Sequence, residues 1–327
     1  MKKIIYLLVI LAVLSACTSG NKKNGNNEEK MADTIAAETI DIAYMQCPLA
    51  YLIDGELYFH SFDEDQKVKF AEESEVIFNF TFDDEGKTLY YSVERDNSLW
   101  LKSADISEAE LTPQWLTDWK IKKDDCISQT YFEASPLLFN NGELIIQHNF
   151  NWEYYDFKSM AIYSIANNKI TKKEYDYKLI SKAFGQLSSD KSEQYFKTID
   201  QQLYYTRNNS KVCLTDNLNF DVLKQKENED YWVETEFINF TFSQDETKIL
   251  FGALLEFGDL GHGPYCIADA NGSNQMIILQ TDISGTKEPI WLTNNSLAFI
   301  DNVKNLFVIN DDVTQQIAEN VTHCGTR

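Results

Sequence analysis

One pattern dominates the chain: two apolar runs of strand length joined by an Asp/Asn/Gly turn, met repeatedly from residue 49 onward. Its fullest copy runs from Glu236 to Thr281. Phe237-Ile238-Asn239-Phe240-Thr241-Phe242 turns at Ser243-Gln244-Asp245-Glu246 and returns as Lys248-Ile249-Leu250-Phe251. Tyr265-Cys266-Ile267-Ala268, the turn Asp269-Ala270-Asn271-Gly272, and Met276-Ile277-Ile278-Leu279 complete four strands. Runs of this length with turn residues between them form an antiparallel meander. The first half recurs without a gap as Asn79-Phe80-Thr81-Phe82, Asp83-Asp84-Glu85-Gly86 and Thr88-Leu89-Tyr90-Tyr91.

Six such units can be counted. The first brackets the hairpin turn Asp54-Gly55, a strong signal between apolar runs. The third turns at Asn140-Asn141-Gly142, the fourth at Asp200-Gln201-Gln202 and the sixth at Thr293-Asn294-Asn295, with the Asn79 and Phe237 copies second and fifth. Their uneven spacing, on the order of 30 to 60 residues, averages near the length of a propeller blade. The expected fold is all-β, a six-bladed β-propeller over 41–327. A two-sheet sandwich is the rival; the ring is preferred because radial repetition leaves only short, protected strand edges. Twenty Phe and seventeen Tyr against five Pro suit many aromatic-rich strands.

Phe242-Ser243-Gln244-Asp245 before Lys248-Ile249-Leu250-Phe251, with Asp269-Ala270-Asn271-Gly272 closing the third strand, resembles the blade of TolB-like six-bladed propellers. Pro289-Ile290-Trp291 resembles the start of the next blade. The family places Phe-Ser-Pro-Asp-Gly at that turn. Gln244 and Glu246 depart from it, so the resemblance implies blade geometry rather than a shared partner.

The N-terminus reads differently. Met1-Lys2-Lys3 is basic, and Ile4 to Val13 is an apolar run too short to span a bilayer but suited to a secretory signal. Leu14-Ser15-Ala16-Cys17 resembles the bacterial lipoprotein signal, which implies a signal peptide over 1–16, cleavage before Cys17 and its lipidation by fatty acyl chains such as palmitate. Each buried methylene contributes roughly 0.8 kcal/mol, so several chains anchor firmly. Thr18 to Lys30 holds no apolar residue, and 17–40 is expected to be a tether. Thr18 stands where Asp is linked in some bacteria with inner-membrane retention, so the resemblance favours the outer membrane of the cell envelope.

A formal charge of -22 would repel a phosphate backbone, which excludes a general nucleic-acid binder. Gly-x-Ser-x-Gly, His-Glu-x-x-His and Cys-x-x-Cys are absent, and the four histidines show no metal spacing. No catalytic residue, metal or cofactor is expected. Cys213 and Cys266 are expected to be buried small hydrophobes, while Cys47 and Cys324, near the two ends, could meet at ring closure.

Two stretches suit recognition. The Gly-rich run Phe257 to Tyr265 permits close backbone approach and carries Asp259, His262 and Tyr265. The aromatic run Asn149 to Phe157 carries Trp152, Tyr154 and Tyr155, suited to a sugar or a protein hot spot. The expectation is a lipid-anchored binding or scaffolding module for a protein or glycan partner. The alternative is a propeller enzyme, a carbohydrate lyase or hydrolase, with its site in the axial pocket.

Overall fold

The computed structural model describes residues 49–327, apart from 63–65, 72, 108–110, 117–119, 123–136, 149–158, 175, 221–235, 256–261, 284–286 and 312. Residues 40–327 form one unit. Six antiparallel sheets can be counted among the described residues, in chain order with one exception. Sheet 1 contains Leu49–Ile53, Glu56–Ser61 and Gln66–Lys69, and its fourth strand is the C-terminal Val321–Thr326, paired along Leu49–Ile53. The last strand therefore closes onto the first described one.

Sheets 2 to 6 lead with Ile77–Phe82, Leu137–Asn140, Phe196–Ile199, Glu236–Phe242 and Ile290–Trp291. The closing strand touches the leading strands of sheets 2 and 6, and the leading strand of sheet 2 touches that of sheet 3. These strands therefore lie innermost, around the axis.

The turns explain why the strands double back where they do. Asp54-Gly55, Asp96-Asn97, Asn141-Gly142, Asp200-Gln201 and Asn208-Asn209 all have two successive positive φ angles. That backbone matches strand twist, and Asn, Asp and Gly adopt it at least cost. Gly86 and Glu246 occupy the same turn position in the two best-matched repeats, with φ of 65° and 57°. Glu246 thus takes a left-handed conformation unfavourable for a residue with a Cβ.

Sheets 1, 2, 3, 5 and 6 are buried on both faces, which is why their strands read as nearly continuous apolar runs, whereas sheet 4 buries one face and leaves Lys197, Thr198 and Ile199 exposed. Ala50, Leu57 and Phe59 of sheet 1 pack against Phe80, Leu89 and Tyr91 of sheet 2. Tyr90 and Leu101 of sheet 2 meet Leu144 and Tyr163 of sheet 3. Phe196 and Tyr205 of sheet 4 meet Phe240 and Phe251 of sheet 5. Leu250 and Tyr265 lead to Phe299 of sheet 6, whose Ala298 and Val308 return to Leu49 and Tyr51. Face-to-face packing thus runs through sheets 4, 5, 6, 1, 2 and 3 in turn, five of the six junctions of a ring, and this order is a β-propeller.

The junction between sheets 3 and 4 is different. Helices α1 (Tyr177–Ala183) and α2 (Ser189–Tyr195) stand there. Ile180 of α1 packs on Ile145, Met160 and Ile162, the face of sheet 3 turned away from sheet 2. Sequence analysis anticipated only strands here.

The cysteines fall largely where expected. Cys266 is buried, Cys213 is half-buried, and both are free thiols. Cys324 is also a free thiol, while Cys47 lies outside the described residues.

Candidate functional site: the cleft beneath the helical insertion

The insertion is short and locally specified. Asp176 is the N-cap of α1, its carboxylate accepting from the Leu179 backbone N–H at 3.1 Å. Gly185, at φ 73°, turns the chain out of α1, and Leu187 N–H donates to Phe240 O at 3.0 Å. The insertion is thereby stitched to the leading strand of sheet 5.

Between the two helices and the leading strands of sheets 4 and 5 lies a cleft of about 970 Å³. Its floor is apolar: Phe196, Leu203, Phe237 and Phe240 are all buried. Phe196 and Phe240 stack with ring centroids 4.2 Å apart, giving the floor a continuous aromatic surface. Its rim is charged, with Lys178 and Lys182 on α1, Lys191 on α2 and Lys197 on the leading strand of sheet 4. Volume and lining fall within the range of small-ligand sites.

A polar string runs from the cleft into sheet 5. The exposed Tyr177 donates its hydroxyl to Asn239 Oδ1, and Asn239 Nδ2 donates to the Tyr265 hydroxyl, each at a long 3.4 Å. Asn239 can aim its amide this way because it sits at a strand irregularity with φ 56°. Gln186 Nε2 donates to Glu288 Oε2 at 2.7 Å, joining the insertion to the run before the leading strand of sheet 6. Burial pushes the Glu288 carboxyl up to about 7, with the Gln186 hydrogen bond opposing. Burial, followed by the Glu288 charge, pushes the Tyr265 phenol well above its usual range.

The neighbouring Lys287 turns to the closing strand. Its Nζ donates to Thr322 O at 2.6 Å and lies 3.4 Å from His323 Nδ1. His323 Nε2 lies 3.0 Å from Phe80 O, a pure acceptor, so Nε2 carries the ring proton and Nδ1 accepts. Burial lowers Lys287 to about 8 and, with help from the Lys287 charge, lowers His323 to about 3. The imidazole is neutral at physiological pH.

Residues 1–18 match the model of the prokaryotic membrane lipoprotein lipid attachment site. The chain is a prokaryotic lipoprotein with a β-propeller fold. No curated protein matches it. Among solved structures, the lipoprotein is similar to TolB from Acinetobacter baumannii at 13% identity and TM-score 0.44, over 85% of this chain and 66% of that one. It thus spans slightly less than two thirds of the TolB chain. A nidogen/laminin complex is similar at 10% identity and TM-score 0.38, over 85% of this chain and 97% of that one. The propeller assignment stands on the sheet order and the face-to-face packing.

Of the residues singled out by sequence, His262 and Tyr265 are described in the lipoprotein, and Asp259, Trp152, Tyr154 and Tyr155 lie outside the described residues. His262 is exposed, with Nδ1 3.2 Å from Asp282 Oδ2. Tyr265 is 1% exposed, which corrects its expected place on an accessible ligand surface. Its ring belongs to the core between sheets 5 and 6, and its hydroxyl reaches the cleft only through Asn239. Among the described residues no group of three or more His, Cys, Asp or Glu side chains is placed to hold a metal.

Sequence reasoning missed Tyr177, Gln186, Lys287 and Glu288. The insertion did carry a signal. Leu179, Ile180, Ala183 and Phe184 recur at helical spacing directly after the capping Asp176.

Proposed function

We propose that this lipoprotein is a lipid-anchored binding module of the cell envelope, held at the outer membrane through acyl chains on Cys17. The cleft beneath the helical insertion is where it engages a protein or glycan partner. The observation that carries this reading is the cleft itself: a recess with a continuous aromatic floor and a polar rim, opened by two helices that interrupt the ring. A rigid ring with function placed in its insertions is how such scaffolds operate.

Affinity capture from the protein's own envelope, together with a glycan array, tests the reading. Full-length protein is compared with Thr198→Trp, which places an indole in the cleft from an exposed strand position. The expected result is a partner retained by the wild type and lost by the variant. Identical retention by both would overturn the cleft as the seat.

One observation favours a second reading, a carbohydrate lyase or hydrolase. Glu288 holds its proton to about pH 7, as a general acid near neutrality must, and is hydrogen-bonded to Gln186 of the cleft wall. On that reading Glu288→Gln abolishes turnover of an envelope polysaccharide while leaving its binding intact. Unchanged turnover would reject it.

A further inference from the structure

The cleft has a charge unlike that of the molecule around it. The chain carries 51 acidic and 29 basic side chains, yet the cleft lining holds four lysines against three acids. Lys178 and Lys182 stand four apart on α1 and therefore share a face, where two like charges oppose each other. Both are exposed, as are Lys191 and Lys197, and none of the four is in an ion pair with a described residue.

The acids do not offset them equally. Asp190 is engaged locally, its carboxyl held below the usual range first by the Ser188 hydroxyl and then by backbone N–H groups. Glu193 and Glu236 remain. Beneath the lysines the floor is hydrocarbon and aromatic, from Phe196, Phe237 and Phe240. On the wall, Ser181 Oγ is buried without a hydrogen-bond partner among the described residues. A buried hydroxyl of that kind has a donor to give.

We propose that the cleft is a binding site for a small amphiphilic anion, a carboxylate or phosphate on a short apolar stem. The stem lies on the phenylalanine floor and the anion sits among Lys178, Lys182, Lys191 and Lys197, with Ser181 donating to it. A cation gains nothing from this rim, and an uncharged stem gains only the floor. Ammonium groups arranged around a wet rim favour an anion over its neutral counterpart, and added salt weakens that preference. The inference goes beyond partner binding and needs no partner, so either can fail while the other stands.

The test uses full-length protein in phosphatidylcholine nanodiscs, with empty nanodiscs as the blank. Hexyl phosphate, hexylammonium, hexanol and inorganic phosphate are titrated by calorimetry, with saturation-transfer NMR to locate the contacts. Hexyl phosphate is expected to bind at least tenfold more tightly than any of the other three, and to weaken at least tenfold in Lys182→Gln/Lys197→Gln. Both positions are exposed, and an unchanged urea midpoint shows that the variant is folded. Equal binding of hexanol or hexylammonium would overturn the charge selection. Hexyl phosphate that binds the double variant as well as the wild type, or does not bind at all, would overturn the site.

Discussion

His323 and Glu288 make a pair of opposed proton sensors, and mutating either should tilt the stability profile in a direction that can be fixed in advance. His323 titrates at about 3 in the folded protein against 6.5 in a free histidine, because it is buried and its Nδ1 faces the Lys287 ammonium. A depressed pKa contributes stability that is complete above 6.5 and is lost as pH falls toward 3. Glu288 titrates at about 7 against 4.5, because it is buried. A raised pKa contributes stability that is complete below 4.5 and is lost as pH rises through 7.

Between pH 4.5 and 6.5 the two slopes have opposite signs and equal size, about 1.4 kcal/mol per pH unit. In the wild type they cancel. Glu288→Gln leaves the histidine slope alone, so its stability relative to wild type rises by roughly 2–3 kcal/mol across the window. His323→Gln keeps a donor for Phe80 O and removes the histidine slope, so its relative stability falls by the same amount. Urea unfolding at half-unit pH steps reads both, and subtracting the wild-type curve removes the contribution of every other carboxylate. Variant curves parallel to wild type would refute the burial of these two groups.

Two further predictions concern packing. Lys102 and Glu73 are 10% and 3% exposed and in contact, with Tyr91 donating to the same carboxylate at 2.7 Å. Lys102→Met should cost about 3–5 kcal/mol by stranding the buried charge, and adding Glu73→Leu should recover much of it; urea melts showing no recovery would contradict this. A Cβ on Gly325 would lie 2.8 Å from Phe80 Cε2, so Gly325→Ala should cost about 1–3 kcal/mol. Phe80→Leu should relieve that clash, giving a coupling of at least about 0.5 kcal/mol in a double-mutant cycle; additive effects would mean that the closing strand does not pack on sheet 2.

The legible part of the fold was the part written in side chains. All six turn-bracketed repeats became sheets, because apolar runs and left-handed turn residues are local signals. The closing strand was hidden because Val321-Thr322-His323-Cys324-Gly325-Thr326 has almost no apolar pattern, and it is held largely by backbone pairing with Leu49–Ile53. Its glycine is there so that the Phe80 ring can lie against the backbone. The helices were readable from Leu179, Ile180, Ala183 and Phe184 but sat between two strong strand repeats. The site was the least legible. Lys287 and Glu288 look like ordinary loop charges, and only the folded ring shows that one turns to the closing strand and the other to the cleft. Tyr265 stands close to His262 in the chain, yet burial sends the two to different surroundings.

Closure of the ring by the C-terminal strand underlies the whole arrangement, and one thiol tests it. Tyr51 lies directly opposite Cys324 in the antiparallel pair. Such partners have Cα atoms about 4.5–5.5 Å apart, within the roughly 4.4–6.8 Å that a disulfide spans. Mild oxidation of Tyr51→Cys followed by non-reducing peptide mapping should recover a bridge between the introduced thiol and Cys324. A Cys324 that stays unbridged, or that bridges Cys47 instead, would contradict the register on which the closed propeller depends.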